Sequence, residues 1–479
     1  MNDHVLETAK TIENKTFDEI NVGDSAFILR HLTMGDVKLF AAISGDVNPA
    51  HVDEDYAKSS RFHEIIAHGM WGGTLISTVL GTKLPGPGTI YLGQTLRFLK
   101  PVKLGDVIRV IVTVKEKILE SHRLILDCEC ENENGDTVIQ GTAEVIAPTE
   151  KISRPRWIIP EVHLAERVHL HKLIENARDG DPIPTAVVHP VDKISILGIV
   201  AAYQAKLIRP ILIGPEARIH AAIDQAGVDI SDFPIINVQH SHAGADKALE
   251  LIRSGKASIL MKGSLPTYEF MQAVVDKSNS VRTERRMSHV MVFDVPTYTR
   301  PLFITDAAIN IEPDLETKRD IIQNAIDVAR ALDIDLPKVA ILAVAETVNP
   351  KMKTTLDAAS LCKMADRGQI RGGLVDGPLA FDNAVSPKAV QIKHLHSTVA
   401  GVADILVAPD LESANMLVKQ LEYLGGAQGA GVVVGAKMPI VLNSRADDVT
   451  SRVASCAIAK ILAQKIEQRI ITFGSVPTV

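Results

Sequence analysis

Phe40-Ala-Ala-Ile-Ser44-Gly45-Asp46-Val47-Asn48-Pro49-Ala50-His51-Val52-Asp53-Glu54-Asp55 sets a carboxylate and an imidazole five residues apart around an Asn-Pro corner. Asn48 is a strong helix N-cap, and Pro49 suits the first helical position, where a missing N–H costs nothing. His51 then falls in the first turn of a new helix and Asp46 on the bend before it. Asp53, Glu54 and Asp55 complement the positive end of a helix. A bend brings Asp46 and His51 to one pocket from two sides, which a regular helix would not do at that spacing. A carboxylate and an imidazole on one cavity can hold a water and move its protons.

Downstream, residues 65–81 read as an apolar helix with glycines clustered near its start. Residues 37–42 read as a short helix before the motif. Four strand-like segments follow: Thr89–Phe98, Val107–Lys117, His122–Glu131 and Thr137–Ile146, several with alternating apolar and polar residues. Asn134-Gly135 is a hairpin turn signal. One long apolar helix followed by a long antiparallel meander predicts a sheet wrapped around a helix.

The string Ser44-Gly45-Asp46-x-Asn48-Pro49-x-His51-x-Asp53 resembles the signature of MaoC-like, R-specific enoyl-CoA hydratases, and the resemblance covers Phe17 to about Pro148. It implies the α+β hot-dog fold, with Asp46 and His51 catalytic, Asn48 shaping the substrate corner, and a backbone N–H at the helix start stabilising the thioester oxygen. By position that residue is Gly69. A fixed N–H at a helix terminus suits a developing oxyanion; a glycine there also serves close helix–sheet packing. His68 reads as structural. Hot-dog domains also include thioesterases, the rival reading for this half.

Pro148-Thr-Glu-Lys-Ile-Ser-Arg-Pro-Arg-Trp-Ile-Ile-Pro160 has the prolines and mixed charge of a linker. Beyond it, short apolar runs alternate with amphipathic stretches such as 314–332 and 351–366. This is the βαβα rhythm of a mainly parallel sheet. The expected division is a hot-dog domain at 1–148, a linker at 149–165 and a two-lobed α/β domain at 166–479. Lobe 1 takes about 166–300 plus 440–479, and lobe 2 about 301–439.

Leu260-Met-Lys-Gly-Ser264, Arg285-Arg-Met-Ser-His289, Val375-Asp-Gly-Pro-Leu-Ala-Phe-Asp-Asn-Ala384 and Met438-Pro-Ile-Val-Leu-Asn-Ser-Arg-Ala-Asp447 together resemble the phosphate acetyl/butyryltransferase family, from about Val168 to Ile471. The resemblance implies acyl transfer between coenzyme A and phosphate with no metal and no covalent enzyme intermediate. It places Ser444 and Arg445 in the active site and returns the last segment to lobe 1.

Phosphate and acyl phosphate are anions that require cations in a cleft. Arg445 follows an apolar strand, where ligands collect on α/β sheets; its rival role is an ion pair with Asp447 or Asp448. Lys262, Arg285 and Arg286 are further phosphate-binding candidates, each equally suited to a solvated face. Asp376 and Asp382 either hold these cations or shape the turn at Gly377-Pro378. A thiol of pKa near 8.5 must lose a proton to attack. The family's acetyltransferases carry an aspartate seven residues after the serine. Here that position is Ser451, which leans toward the butyryl branch and leaves the general base unassigned, with Asp447 and Asp448 as candidates. The glycine-rich stretch 424–432 has the wrong spacing for a dinucleotide loop and reads as a turn near the ligand.

The 479 residues carry net charge −7, with 46% hydrophobic and 23% charged residues. That balance fits globular domains with sizeable cores and gives no nucleic-acid footprint. Cys128, Cys130, Cys362 and Cys456 form no Cys-x-x-Cys pair and read as reduced thiols of a cytoplasmic protein. The acidic start lacks a signal peptide's regions, no apolar run is long enough to span a membrane, and no zinc-ligand spacing occurs.

The expected whole is a bifunctional, homo-oligomeric enzyme. It would hydrate short trans-2-enoyl-CoA to (3R)-hydroxyacyl-CoA and exchange CoA for phosphate on a short acyl group. Coenzyme A thioester and phosphate or acyl phosphate would be substrates, with no bound cofactor. The rivals are a metal- and NAD-dependent decarboxylating dehydrogenase for the second half, or one half serving only to bind CoA or to oligomerise.

Overall fold

The computed structural model describes residues 11–157, 162, 168–276, 279–444, 447–468 and 473. Contact density divides the chain into two units, Met1–Leu164 and Ala165–Val479. The cut falls at the end of the segment 149–165, just past the proline-rich stretch.

In the first unit a short antiparallel pair, β1 (Thr11–Glu13) with β7 (Ser153–Pro155), ties the two ends together. The body is a five-stranded antiparallel sheet in the order β2 (Ser25–His31), β4 (Val107–Ile118), β5 (Arg123–Glu131), β6 (Thr137–Ile146) and β3 (Ile90–Phe98). Alternation along β4 and β5 turns Val110, Val112, Leu124 and Leu126 inward. Helix α4 (Gly69–Thr82) buries Trp71, Leu75, Ile76, Val79 and Leu80 in the same core. The sheet thus wraps one helix, as the pattern predicts.

Before α4 the chain makes three short helices. Helix α1 (Met34–Ser44) opens on a Thr33/Asp36 capping box and stops at Gly45, whose φ of 74° is left-handed. Asn48 Oδ1 accepts from Ala50 N at 3.1 Å and caps α2 (Pro49–Val52). Asp53 in turn caps α3 (Glu54–Ser59).

The second unit is built on one eleven-stranded sheet. Its strands are β8 (Ile183–Val188), β9 (Ile208–Gly214), β10 (Ile235–Asn237), β11 (Ile259–Lys262), β12 (Ser288–Asp294), β13 (Leu302–Thr305), β14 (Lys338–Leu342), β15 (Leu374–Leu379), β16 (Ile405–Val407), β17 (Gln428–Val434) and β18 (Ile440–Val441). They run in the order β10-β9-β8-β11-β18-β17-β12-β13-β16-β14-β15. Pairing is parallel on both flanks and antiparallel only from β18 through β17 and β12 to β13. The two expected lobes therefore share a continuous sheet. Strand β13 occupies the place where the lobe boundary was expected. In the last segment β18 pairs with β11, and helix Val449–Glu467 packs in the same core as Ile196 and Ile199.

The glycine-rich stretch is not wholly a turn. From Gln428 it is strand β17, and its glycines admit the side chains of β12. A Cβ on Gly429 would lie 2.4 Å from Phe293 Cε1, and one on Gly431 would lie 2.6 Å from His289 Nε2. All four cysteines are free, and no helix among the described residues is long and apolar enough to cross a membrane.

Candidate active sites

In the first unit the Asn-Pro corner brings Asp46 and His51 together. Ligand atoms of Asp46, His51 and His68 all lie within 4.8 Å of one another. His51 Nδ1 is 2.9 Å from the Ile66 carbonyl. A carbonyl only accepts, so Nδ1 carries the proton and the neutral ring keeps its lone pair on Nε2. His68 Nε2 donates to the Asp46 carbonyl at 3.0 Å, and its ring stacks on His51 with centroids 4.0 Å apart. His68 thus ties the Asp46 bend to the start of α4. Asp46 Oδ1 also accepts from Asn48 N at 3.2 Å, so Asn48 shapes both the cap and the acid.

Gly69 is the first residue of α4 and is exposed. Its N–H belongs to the first turn, which has no intrahelical acceptor. A Cβ there would approach the Phe98 ring to 3.2 Å, so the glycine permits close packing.

In the second unit a cavity of about 550 Å³ opens where β11 and β18, which run parallel, both end. Lys262 closes β11, is 3% exposed, and donates to the carbonyls of Gly263 and Leu265, both at 3.3 Å. Asn443 and Ser444 follow β18. Ser444 N donates to Asp447 Oδ2 at 2.8 Å, and Arg452 reaches back from helix Val449–Glu467 to the carbonyls of Ser444 (2.8 Å) and Asp447 (3.3 Å). The opposite wall comes from His289 and Met291 on β12, Ala307 and Ala308 after β13, and Asn415, Val418 and Lys419 on helix Leu411–Tyr423.

The two candidate bases separate. Asp447 lines the cavity, whereas Asp448 caps helix Val449–Glu467 through Ser451 N at 2.7 Å. Arg445 lies outside the described residues. The remaining candidates do not line the cavity. Arg285 is committed to Asp327 on helix Leu315–Ala331 at 2.6 Å, with both side chains largely buried. Arg286 is exposed, and its backbone N–H donates to Asp320 at 3.0 Å. Asp376, on the edge strand β15, accepts from Gly377 N and from Ser397 Oγ. Asp382 pairs with Lys393 at 3.2 Å, not with any of the proposed phosphate cations. Of the cations proposed from sequence, Lys262 is the one among the described residues that reaches the cavity.

Two cavity residues stand inside the family strings but carry no role in a linear reading. His289 sits within an apolar run and looks like core; Asn443 precedes the Ser-Arg pair and looks like a spacer. Both ring nitrogens of His289 and the Oδ1 of Asn443 are buried with no hydrogen-bond partner among the described residues.

A family model described as phosphate acetyl/butaryl transferase matches residues 245–460, and one described as MaoC like domain matches 26–125. The chain is 53% identical to a phosphate acetyltransferase of Rickettsia felis over 61% of its own length and 84% of the relative's. It is 40% identical to a phosphate butyryltransferase of Clostridium beijerinckii over 61% of its length and 97% of that protein's. A branched-chain phosphotransacylase structure from Enterococcus faecalis matches with TM-score 0.52 and 28% identity, covering 59% of this chain and 99% of that one. A MaoC-like domain is thus fused ahead of a phosphate acyltransferase domain, and the chain belongs to the phosphate acetyl/butyryltransferase family.

Proposed function

We propose that the chain is a bifunctional enzyme acting on short acyl-CoA thioesters. The second unit transfers an acyl group between CoA and phosphate; the first adds water to a short trans-2-enoyl-CoA, or removes it. The observation that carries the hydratase reading is the convergence of the Asp46 carboxylate and the His51 ring beside the open N–H of Gly69.

The Asp46 carboxylate and the Nε2 lone pair of His51 both accept, so together they hold the two hydrogens of one water. As that oxygen attacks the β-carbon, one of them takes a proton and the enolate oxygen leans on Gly69 N–H. The proton then passes to the α-carbon. Asp46→Ala should abolish hydration of crotonyl-CoA and leave acyl transfer intact. Persisting hydration would remove Asp46 from the mechanism, and release of free CoA would favour a thioesterase.

In the transferase, Lys262 and Arg445 supply positive charge for phosphate, Ser444 donates to the acyl or phosphoryl oxygen, and Asp447 is the base. Arg445→Ala should lower kcat/KM by about 100-fold or more; normal turnover in that variant would reject the role. The acyl group is acetyl or butyryl. Ser451 leans toward the butyryl branch, whereas the chain is 53% identical to the Rickettsia felis acetyltransferase and 40% identical to the Clostridium beijerinckii butyryltransferase. Self-association completes the proposal, to be read from the mass in solution.

A further inference from the structure

His289 stands on β12 in register with Val433 of β17, and its side chain faces the transferase cavity. Its backbone is held on both sides. Its N–H donates to Asp306 Oδ1 at 3.1 Å and its carbonyl accepts from Thr305 Oγ1 at 2.8 Å. The same buried Asp306 carboxylate gathers the N–H groups of Ala308, Ile309 and Asn310, fixing the loop that forms the neighbouring wall. Gly431 leaves the notch in which the ring lies. The ring is thus rigidly seated, 5% exposed, and neither nitrogen has a partner among the described residues. A buried polar group without a partner is costly in a folded protein unless a ligand supplies one.

We propose that His289 contacts the substrate, donating its ring N–H to the carbonyl oxygen of the acyl group as the tetrahedral intermediate forms. The inference rests on the transferase assignment and adds a residue to it. The surroundings select the acyl group over phosphate. Met291, Ala307, Ala308 and Val418 make the adjoining wall apolar, which suits a short acyl chain, while positive charge enters from Lys262. Burial pushes the His289 pKa down to about 4, so the ring is a neutral donor and too weak a base for a thiol.

The step balances without proton transfer to His289. A phosphate oxygen attacks the thioester carbon, forming C–O, and the C=O electron pair moves to the oxygen held by the ring N–H. Collapse of that oxyanion breaks C–S, and the proton of the hydrogen phosphate ends on the departing sulfur. The products are acyl phosphate and CoA thiol.

The test is steady-state kinetics of the full chain with acetyl-CoA and phosphate. His289→Leu should lower kcat by about 100-fold or more, with KM for phosphate within about twofold. His289→Gln, whose amide N–H can still donate, should recover about tenfold or more of the loss. Gly431→Ala, which crowds the ring from the far side, should lower kcat in the same way. Near-normal turnover in the Leu variant overturns the proposal. So does a loss confined to KM for phosphate, which would put the ring at the phosphoryl group. Should the Leu variant not fold, the Gln and Gly431→Ala variants decide. A Gln variant that folds but is more than about 100-fold impaired, beside a fully active Gly431→Ala enzyme, also overturns it.

Discussion

His51 donates a hydrogen bond from its Nδ1–H to the Ile66 carbonyl, and that bond determines which ring nitrogen can act as a base. His68 works one step back, holding the Asp46 carbonyl from beneath the His51 ring. His68→Ala should therefore lower kcat for crotonyl-CoA hydration by roughly 10-fold or more, while KM changes little. A loss confined to KM would mean that the ring touches substrate directly. His289 makes a pH prediction whose sign is fixed. Its folded pKa, about 4, lies below the usual value of 6.5, so the unfolded chain takes up the proton first. The stability it allows is complete above about pH 6.5 and is lost as pH falls toward 4, by on the order of 3 kcal/mol at most. Melting of the wild type should thus fall more steeply between pH 7 and pH 5 than melting of His289→Leu. Asp46, Asn48 and His51 were legible because their relation is local: a cap, a proline and a first turn. The contact of Arg285 is the opposite case, since its partner Asp327 is 42 residues away and only the fold brings them together.

Strands and helices were read well where the pattern was long. The expected segment Thr137–Ile146 coincides with β6, and the amphipathic stretches 314–332 and 351–366 became helices Leu315–Ala331 and Lys353–Asp366. Two short strands, β13 and β10, were missed. Four-residue β13 and three-residue β10 carry too few residues for a period to show. In β17 the glycines suggested a turn, although close approach of side chains from β12 is what requires them. Helices Leu315–Ala331 and Lys353–Asp366 are joined by a buried pair, Lys318 with Asp357 at 2.8 Å, which Lys353 also approaches to 2.6 Å. Asp357→Ala leaves Lys318 buried without its counter-charge. The variant should lose about 3–5 kcal/mol, read as a lower urea midpoint of the second unit. A shift below about 0.5 kcal/mol would show that Lys318 finds water instead.

Each unit carries its own hydrophobic core. One cluster draws only on residues between Phe17 and Ala147, and the other three only on residues between Leu170 and Phe473. The two-part organisation was legible because the proline-rich stretch separates two different rhythms; the continuity of the second sheet was not, because strand order is decided by long-range pairing. The paired knockouts follow at this scale. Asp46→Ala and His289→Leu should each silence one reaction, and mixing the two proteins should restore both in the same tube. The sheet also has a timetable written into it. β18, two residues long, is the stitch between β11 and β17. Until residues 440–441 leave the ribosome, those neighbours present bare edges to any passing chain. The hot-dog half can close hundreds of residues earlier, whereas the transferase half must wait for residues 440–441, and chains cut short before that point are the ones expected to aggregate.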